Sequence, residues 1–128
     1  MALPWIKLYC EPCLEGSVRV TLTAEERGVL YDLMLLAGNS HGRPGHLERK
    51  EGLPLPDDKI AARLNVSTEL LQRCLVKFVE QGRLSRNGDN TWQFVNWSKY
   101  QAPRKEKKVS HYPNGSITII ENKTGEIL

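Results

Sequence analysis

The hydrophobic positions in the middle of the chain recur with the spacing of two amphipathic helices that are joined by a very short connection. In residues 57–65 the apolar side chains Ile60, Ala61 and Leu64 fall on one helical face. In residues 68–81 the same spacing groups a second apolar set, namely Leu70, Leu71, Cys74, Leu75, Phe78 and Val79. The connection is too short to wander, and Ser67 is a favourable N-cap for the second helix. We therefore predict two helices that cross at a steep angle and pack through their apolar faces.

The pattern that follows the second helix is typical of a β-hairpin. Gly82 is predicted to end the helix, and residues 83–86 and 91–95 are predicted as strands around an Asn-Gly-Asp-Asn turn. Trp92 and Phe94 fall on one face of the returning strand, so we expect both side chains in the core.

A third helix is predicted upstream of this pair. Thr23 and Glu26 have the spacing of a capping box, in which each side chain bonds the backbone N–H of the other residue. The helix that starts there places four apolar side chains on one face, Leu30, Leu33, Met34 and Ala37, and is predicted to end at Gly38.

The other segments of the first half are shorter. Residues 5–9 are predicted to dock on the core, and Glu11-Pro12 is expected to halt any helix or strand that continues from them. Residues 17–22 alternate, which indicates either a strand or an extended entry to the helix. Residues 46–50 are predicted as a strand that pairs with the hairpin, with the charged residues 48–51 on its solvated side.

Taken in order, these elements predict a winged helix-turn-helix: an α+β, mainly helical fold with a three-helix core and a β-hairpin wing. We expect this domain to cover residues 1–98. A basic linker is predicted for residues 99–115, where apolar residues become few. Residues 116–128 are predicted as a β-like C-terminal tail that could add an edge strand to a partner or to another copy.

Composition limits the class of protein but does not identify its function. The 128 residues are 40% hydrophobic, enough for one domain with a core, and the formal charge of +3 is compatible with a polyanionic partner. No apolar run approaches the roughly 20 residues of a membrane span, and residues 1–5 lack the features of a secretory signal. We predict a cytoplasmic protein without membrane contact.

Candidate chemistry is sparse. Cys10 and Cys13 form a C-x-x-C, which can bind zinc or exchange thiols, but no second such pair or close histidine pair completes a site. We expect both to be loop cysteines without a role, Cys74 to be a core residue, and the protein to hold no metal or cofactor. A nucleophile with its base, a carboxylate pair and a phosphate-binding glycine loop are also missing from the sequence, so we predict that the protein is not an enzyme.

The candidate function is binding of double-stranded DNA. In a winged helix the second helix of the pair enters the major groove, where Gln72 can pair with adenine and Arg73 with guanine. Glu69 and Glu80 on the same helix would repel phosphates, so we expect weak and largely nonspecific binding, with a merely solvated basic tail as the alternative. The predicted DNA-binding residues are Thr68, Gln72, Arg73 and Lys77 on the helix, Arg83 and Arg86 on the wing, and Lys99, Arg104, Lys105, Lys107 and Lys108 in the linker.

Several short motifs, in a fixed order, resemble the N-terminal domain of phage replisome organiser proteins, which are related to the DnaD-like primosome proteins of Gram-positive bacteria. The resemblance covers roughly residues 5–101. It rests on WIKLY at 5–9, EERG at 25–28 before a helix ending in LAG, LPLP at 53–56, GRL at 82–84 and VNW at 95–97.

This resemblance implies a winged-helix fold, a role in starting DNA replication, self-association, and contact with helicase-loading proteins. In DnaD-like proteins DNA affinity rests largely in a separate C-terminal domain, in whose place this chain has only the predicted tail. Our leading expectation is therefore a noncatalytic replication-initiation protein that forms homo-oligomers. The alternatives are a transcriptional regulator that reads a specific site and an adaptor that binds only proteins.

Overall fold

The computed structural model describes residues 2–101, which fold into a mixture of helices and short strands. The helices are α1 Cys10–Glu15, α2 Ser17–Thr21, α3 Ala24–Gly38, α4 Asp57–Leu64, α5 Thr68–Glu80 and α6 Trp97–Gln101. The strands are β1 His46–Lys50, β2 Leu53–Pro54, β3 Leu84–Arg86 and β4 Trp92–Phe94. The predicted α+β class, with more helix than strand, is confirmed for this part of the chain.

Helix ends are set by the local signals that the sequence carries. Thr23 and Glu26 form the predicted capping box at the start of α3, and the Ser67 side chain accepts a hydrogen bond from the N–H of Leu70 at the start of α5. Asn65 adopts a left-handed conformation (φ 59°) after α4, and Gly82 does so (φ +74°) after α5. Asn65 turns the chain between α4 and α5, and Gly82 turns it between α5 and β3.

The four strands form one antiparallel sheet in the order β2-β1-β4-β3. The β3–β4 hairpin brings Arg86 opposite Trp92, and β1 pairs with β4 by placing Leu47 opposite Trp92. The predicted pairing of residues 46–50 with the hairpin is thus confirmed. Strand β2 was not predicted, because two residues are too short to show an alternating pattern.

The core lies between α3, α4, α5 and the inner face of the sheet. Its hydrophobic side chains with 0% exposure are Leu33, Leu47, Ile60, Leu71 and Phe78. Burial of each stabilises the fold by roughly 1.5–3 kcal/mol relative to an exposed position. Trp92 and Phe94 are buried as predicted. Val79 was predicted on the buried face but is 42% exposed, because it lies about 100° around the helix from Phe78.

The N-terminal segment was only partly predicted. Ile6 packs on the core beside Gly38, and the N–H of Leu3 donates to the Gly38 carbonyl, so the segment is docked as expected. No helix or strand continues from residues 5–9 through Pro12. A separate helix that was not predicted, α1, begins at Cys10 and holds Pro12 in its first turn, where a missing N–H costs no helical hydrogen bond. Cys10 and Cys13 consequently lie on a helix and not in a loop.

Three further expectations need correction. Residues 17–22 are neither a strand nor an extended entry, since Ser17–Thr21 is the helix α2. The predicted boundary between residues 98 and 99 is crossed by α6, whose Gln101 side chain accepts from the Lys7 N–H and donates to the Lys7 carbonyl. The charged residues 48–51 are not all solvated, because Glu48 is only 3% exposed. The tail at 116–128 and most of the predicted linker lie outside the described residues.

Candidate nucleic-acid interface

Both basic side chains of α5 face α3. The Lys77 ammonium donates to Glu26 at 2.9 Å, and the Arg73 guanidinium lies 3.4 Å from the Glu25 carboxylate. Glu26 also accepts from the Thr23 N–H, and these bonds, the Thr23 bond first, hold the pKa of its carboxyl below the ordinary value. Lys77 is therefore engaged, whereas the exposed Arg73 pair is weak and can exchange partners at little cost.

The rest of the α5 surface is acidic and apolar. Thr68 and Gln72 are exposed, as predicted for DNA-binding residues, but so are Glu69, Val76 and Glu80. Val76 is 60% exposed. A helix that enters the major groove needs donors for base edges and no negative charge close to phosphates. On α5 the basic side chains therefore point toward α3, and the outward surface, which would have to meet the DNA, carries no cation.

Arg83 does not lie where the sequence placed it. Its guanidinium donates to the Gln81 side-chain oxygen at 2.7 Å and to the Ser17 hydroxyl at 3.0 Å, which fixes it beside α2 and away from the hairpin turn. Burial lowers the pKa of this guanidinium. The contact between Arg83 and Ser17 could not be predicted from the sequence, because Ser17 lies 66 positions away along the chain.

Arg86 lies on β3 directly opposite Trp92. Its guanidinium carbon lies 4.3 Å from the centre of the Trp92 ring, a cation–π arrangement. The Trp92 indole N–H in turn donates to Asp57 at the start of α4 at 3.1 Å. Arg86 is exposed and forms no ion pair with a carboxylate among residues 2–101, so its charge remains available to a phosphate.

A charge network around a buried carboxylate supports the hairpin turn. Arg43 donates to Glu48 at 2.8 Å and to Asp89 in the turn at 2.7 Å. Burial raises the pKa of Glu48, but hydrogen bonds from the Arg43 side chain, the Arg43 N–H and the Gly52 N–H outweigh it and leave this pKa lowered. Bonds from Thr91 and Arg43 lower the pKa of Asp89 to about 2. Sequence analysis missed this network, because its members come from separate segments of the chain.

The last group of predicted residues is only partly described. Lys99 is exposed on α6, with its ammonium 5.3 Å from the centre of the Tyr100 ring. The other predicted linker cations, Arg104, Lys105, Lys107 and Lys108, lie outside the described residues. Of the predicted DNA-binding residues within residues 2–101, the structure thus leaves Arg86 and Lys99 as exposed cations without a carboxylate partner.

Within residues 2–101, no group of three or more histidine, cysteine, aspartate or glutamate side chains is placed to hold a metal ion. Cys10 is exposed, Cys13 is half-buried and Cys74 is buried in the core, and all three are free thiols. Over the same residues, no helix combines the length and apolar character that crossing a bilayer requires.

Comparison of the chain with models of known protein families, with curated proteins and with solved structures finds no match. The expectations about family and function therefore rest on the residues and contacts of this chain.

Proposed function

We propose that residues 2–101 form a winged helix-turn-helix module of a noncatalytic replication-initiation protein, which binds DNA weakly through its phosphates. The winged-helix assignment is supported by the order α3, β1, α4, α5, β3 and β4. It is also supported by the turn at residues 65–67 between α4 and α5, and by the pairing of β1 with the hairpin, which would be the wing.

The observation that carries the proposal is the separation of positive charge from the outward face of α5. Lys77 and Arg73 face carboxylates of α3, whereas Arg86 on the hairpin and Lys99 on α6 are exposed without such partners within residues 2–101. Cations outside a groove-reading helix bind the phosphate backbone, which is the same for every sequence. The basic residues 104–108 would extend this contact along the duplex.

The role in replication is supported by the resemblance to replisome organiser proteins, and with it the expected homo-oligomer and helicase-loading partner. A second candidate function, an adaptor that binds only proteins, is favoured by one observation. Val76 and Val79, three positions apart on α5, are both exposed and could form an apolar contact. A regulator that reads a specific site is less well supported, since Lys77 is bonded to Glu26 and the acidic Glu69 and Glu80 are exposed on the same helix.

Salt-dependent binding of duplex DNA tests the proposal. Affinities for random duplexes and for candidate origin duplexes are measured at several salt concentrations. We expect a steep fall of affinity with salt and similar values for all sequences. A specificity ratio of about 10³ or more would indicate the regulator instead. No binding at low salt would leave the adaptor.

A further inference from the structure

A cavity of about 500 Å³ opens between the N-terminal segment, the middle of α3 and the chain that follows α5. This volume lies within the range of sites for small organic ligands. Most of its lining is apolar or aromatic, and its ring-bearing side chains are Tyr9, Tyr31, Phe94, Trp97 and Tyr100. They include two ring pairs, Tyr9 with Tyr100 at 5.4 Å and Phe94 with Trp97 at 5.9 Å between ring centres.

Arg83 lines the cavity, and no aspartate or glutamate of the described residues does. The acceptors of the Arg83 hydrogen bonds, Gln81 and Ser17, are both neutral. A guanidinium has five N–H donors, and these two bonds leave the others without an acceptor among residues 2–101.

A half-buried cation with neutral partners is an unfavourable arrangement that an anion would improve. Removing a charge from water costs free energy unless an opposite charge or hydrogen bonds compensate for it. A carboxylate suits a guanidinium because its two oxygens can accept two parallel N–H bonds. The surrounding rings would then bury an apolar body attached to that carboxylate.

We propose that this cavity binds a carboxylate joined to an aromatic or aliphatic body, with Arg83 as its anchoring cation. Such a group occurs in a small organic acid and in the C-terminal residue of a peptide. Arg86 and Lys99, the proposed DNA contacts within residues 2–101, do not line this cavity, so the carboxylate test and the DNA test give independent results.

The test uses the full chain and isothermal titration calorimetry with two matched pairs of probes. One pair is 1-naphthoate and the uncharged 1-naphthamide. The other is a hexapeptide ending in tryptophan, with either a free carboxylate or a C-terminal amide. We expect at least one of the two carboxylates to bind, about tenfold more tightly than its amide. The pair that binds identifies the source. No binding of either carboxylate, or equal binding of carboxylate and amide, would overturn the proposal.

Variants connect this binding to Arg83. Arg83→Gln should weaken carboxylate binding about tenfold and leave amide binding unchanged. Arg63→Gln is the matched control, because Arg63 is exposed on α4, does not line the cavity and loses the same charge. Equal losses in both variants would contradict a specific anchor. The comparison of carboxylate with amide on the unmodified chain decides the question even if Arg83→Gln folds poorly.

Discussion

The Arg43 guanidinium lies 2.8 Å from the carboxylate of Glu48, a side chain that is almost fully removed from water. The same carboxylate accepts from the N–H groups of Arg43 and Gly52, so it joins the loop after α3 to the turn after β1. Through Asp89 the Arg43 side chain also reaches the β3–β4 turn. Two ion pairs and two backbone hydrogen bonds therefore connect three turns near the hairpin.

Glu48→Gln is expected to destabilise the protein by roughly 1–3 kcal/mol, because an amide cannot accept all the hydrogen bonds that the carboxylate accepts. Urea unfolding followed by tryptophan fluorescence measures the change. Glu51→Gln is the control: Glu51 is exposed, and its loss should change the free energy of unfolding by no more than about 0.5 kcal/mol. Equal changes in the free energy of unfolding for the two substitutions would show that the hydrogen bonds of Glu48 do not stabilise the fold.

Stability should decrease in acid. The folded-state pKa of Glu48 lies below the ordinary value of 4.5, and that of Asp89 is lowered from 3.8 to about 2. A carboxyl of this kind contributes stability fully above its unfolded pKa and loses it as the pH falls through the folded pKa. The free energy of unfolding should thus begin to fall near pH 4.5 and continue falling toward pH 2. The difference between wild type and Glu48→Gln should shrink over this window. A difference that is the same at about pH 7 and about pH 3 would refute the assignment.

Gly45→Ala should cost roughly 1–3 kcal/mol of stability. Gly45 has φ +76°, and a Cβ at this position would lie 2.6 Å from Cβ and Cγ of Trp97. Thermal unfolding by circular dichroism measures the loss. Gly88→Ala is the matched control, because a methyl group there would have no neighbouring atom within 4 Å and the φ of Gly88 is not positive. If both variants unfold at the same temperature, the close contact between Gly45 and Trp97 is not important for stability.

Lys105→Ala combined with Lys107→Ala should weaken binding to all duplexes about equally, because phosphate contacts carry no sequence information. Arg86→Ala should act in the same way and lower the salt slope by about 1. Arg73→Ala should change affinity unequally between sequences only if α5 reads bases. Fluorescence anisotropy with several duplexes distinguishes these results. Unchanged affinity in the lysine double variant and in Arg86→Ala would remove the basis for the DNA-binding proposal.

Val76→Lys should reduce self-association if the exposed valines of α5 form the contact between copies, since burying an added ammonium is costly. Light scattering of the purified protein gives the molar mass before and after the substitution. Val20→Lys on α2 is the control, because Val20 is 76% exposed and lies on another helix. A mass that is unchanged by Val76→Lys, or lowered equally by Val20→Lys, would place the contact elsewhere.

The caps and apolar faces of the three longest helices, and the hairpin, could be read from the sequence alone, whereas the short α1, α2 and β2 could not. These features depend on neighbours within a few positions along the chain. They are the caps at Thr23 and Ser67, the apolar stripes of α3, α4 and α5, and the hairpin with its two buried aromatic residues. The same is true of the charge and hydrogen-bonding type of each candidate side chain. Short-range spacing is enough to determine such properties.

Only the tertiary structure decided which of the candidate basic side chains are exposed and able to bind a phosphate. Lys77 is paired with Glu26, 51 positions away, and Arg83 is held by Ser17, whereas Arg86 remains exposed on Trp92. The bond from Arg43 to Asp89 likewise joins residues 46 positions apart. Whether a basic side chain is exposed or bonded to another side chain depends on residues that packing brings next to it from distant parts of the chain. A periodic pattern along one segment carries no information about these distant residues.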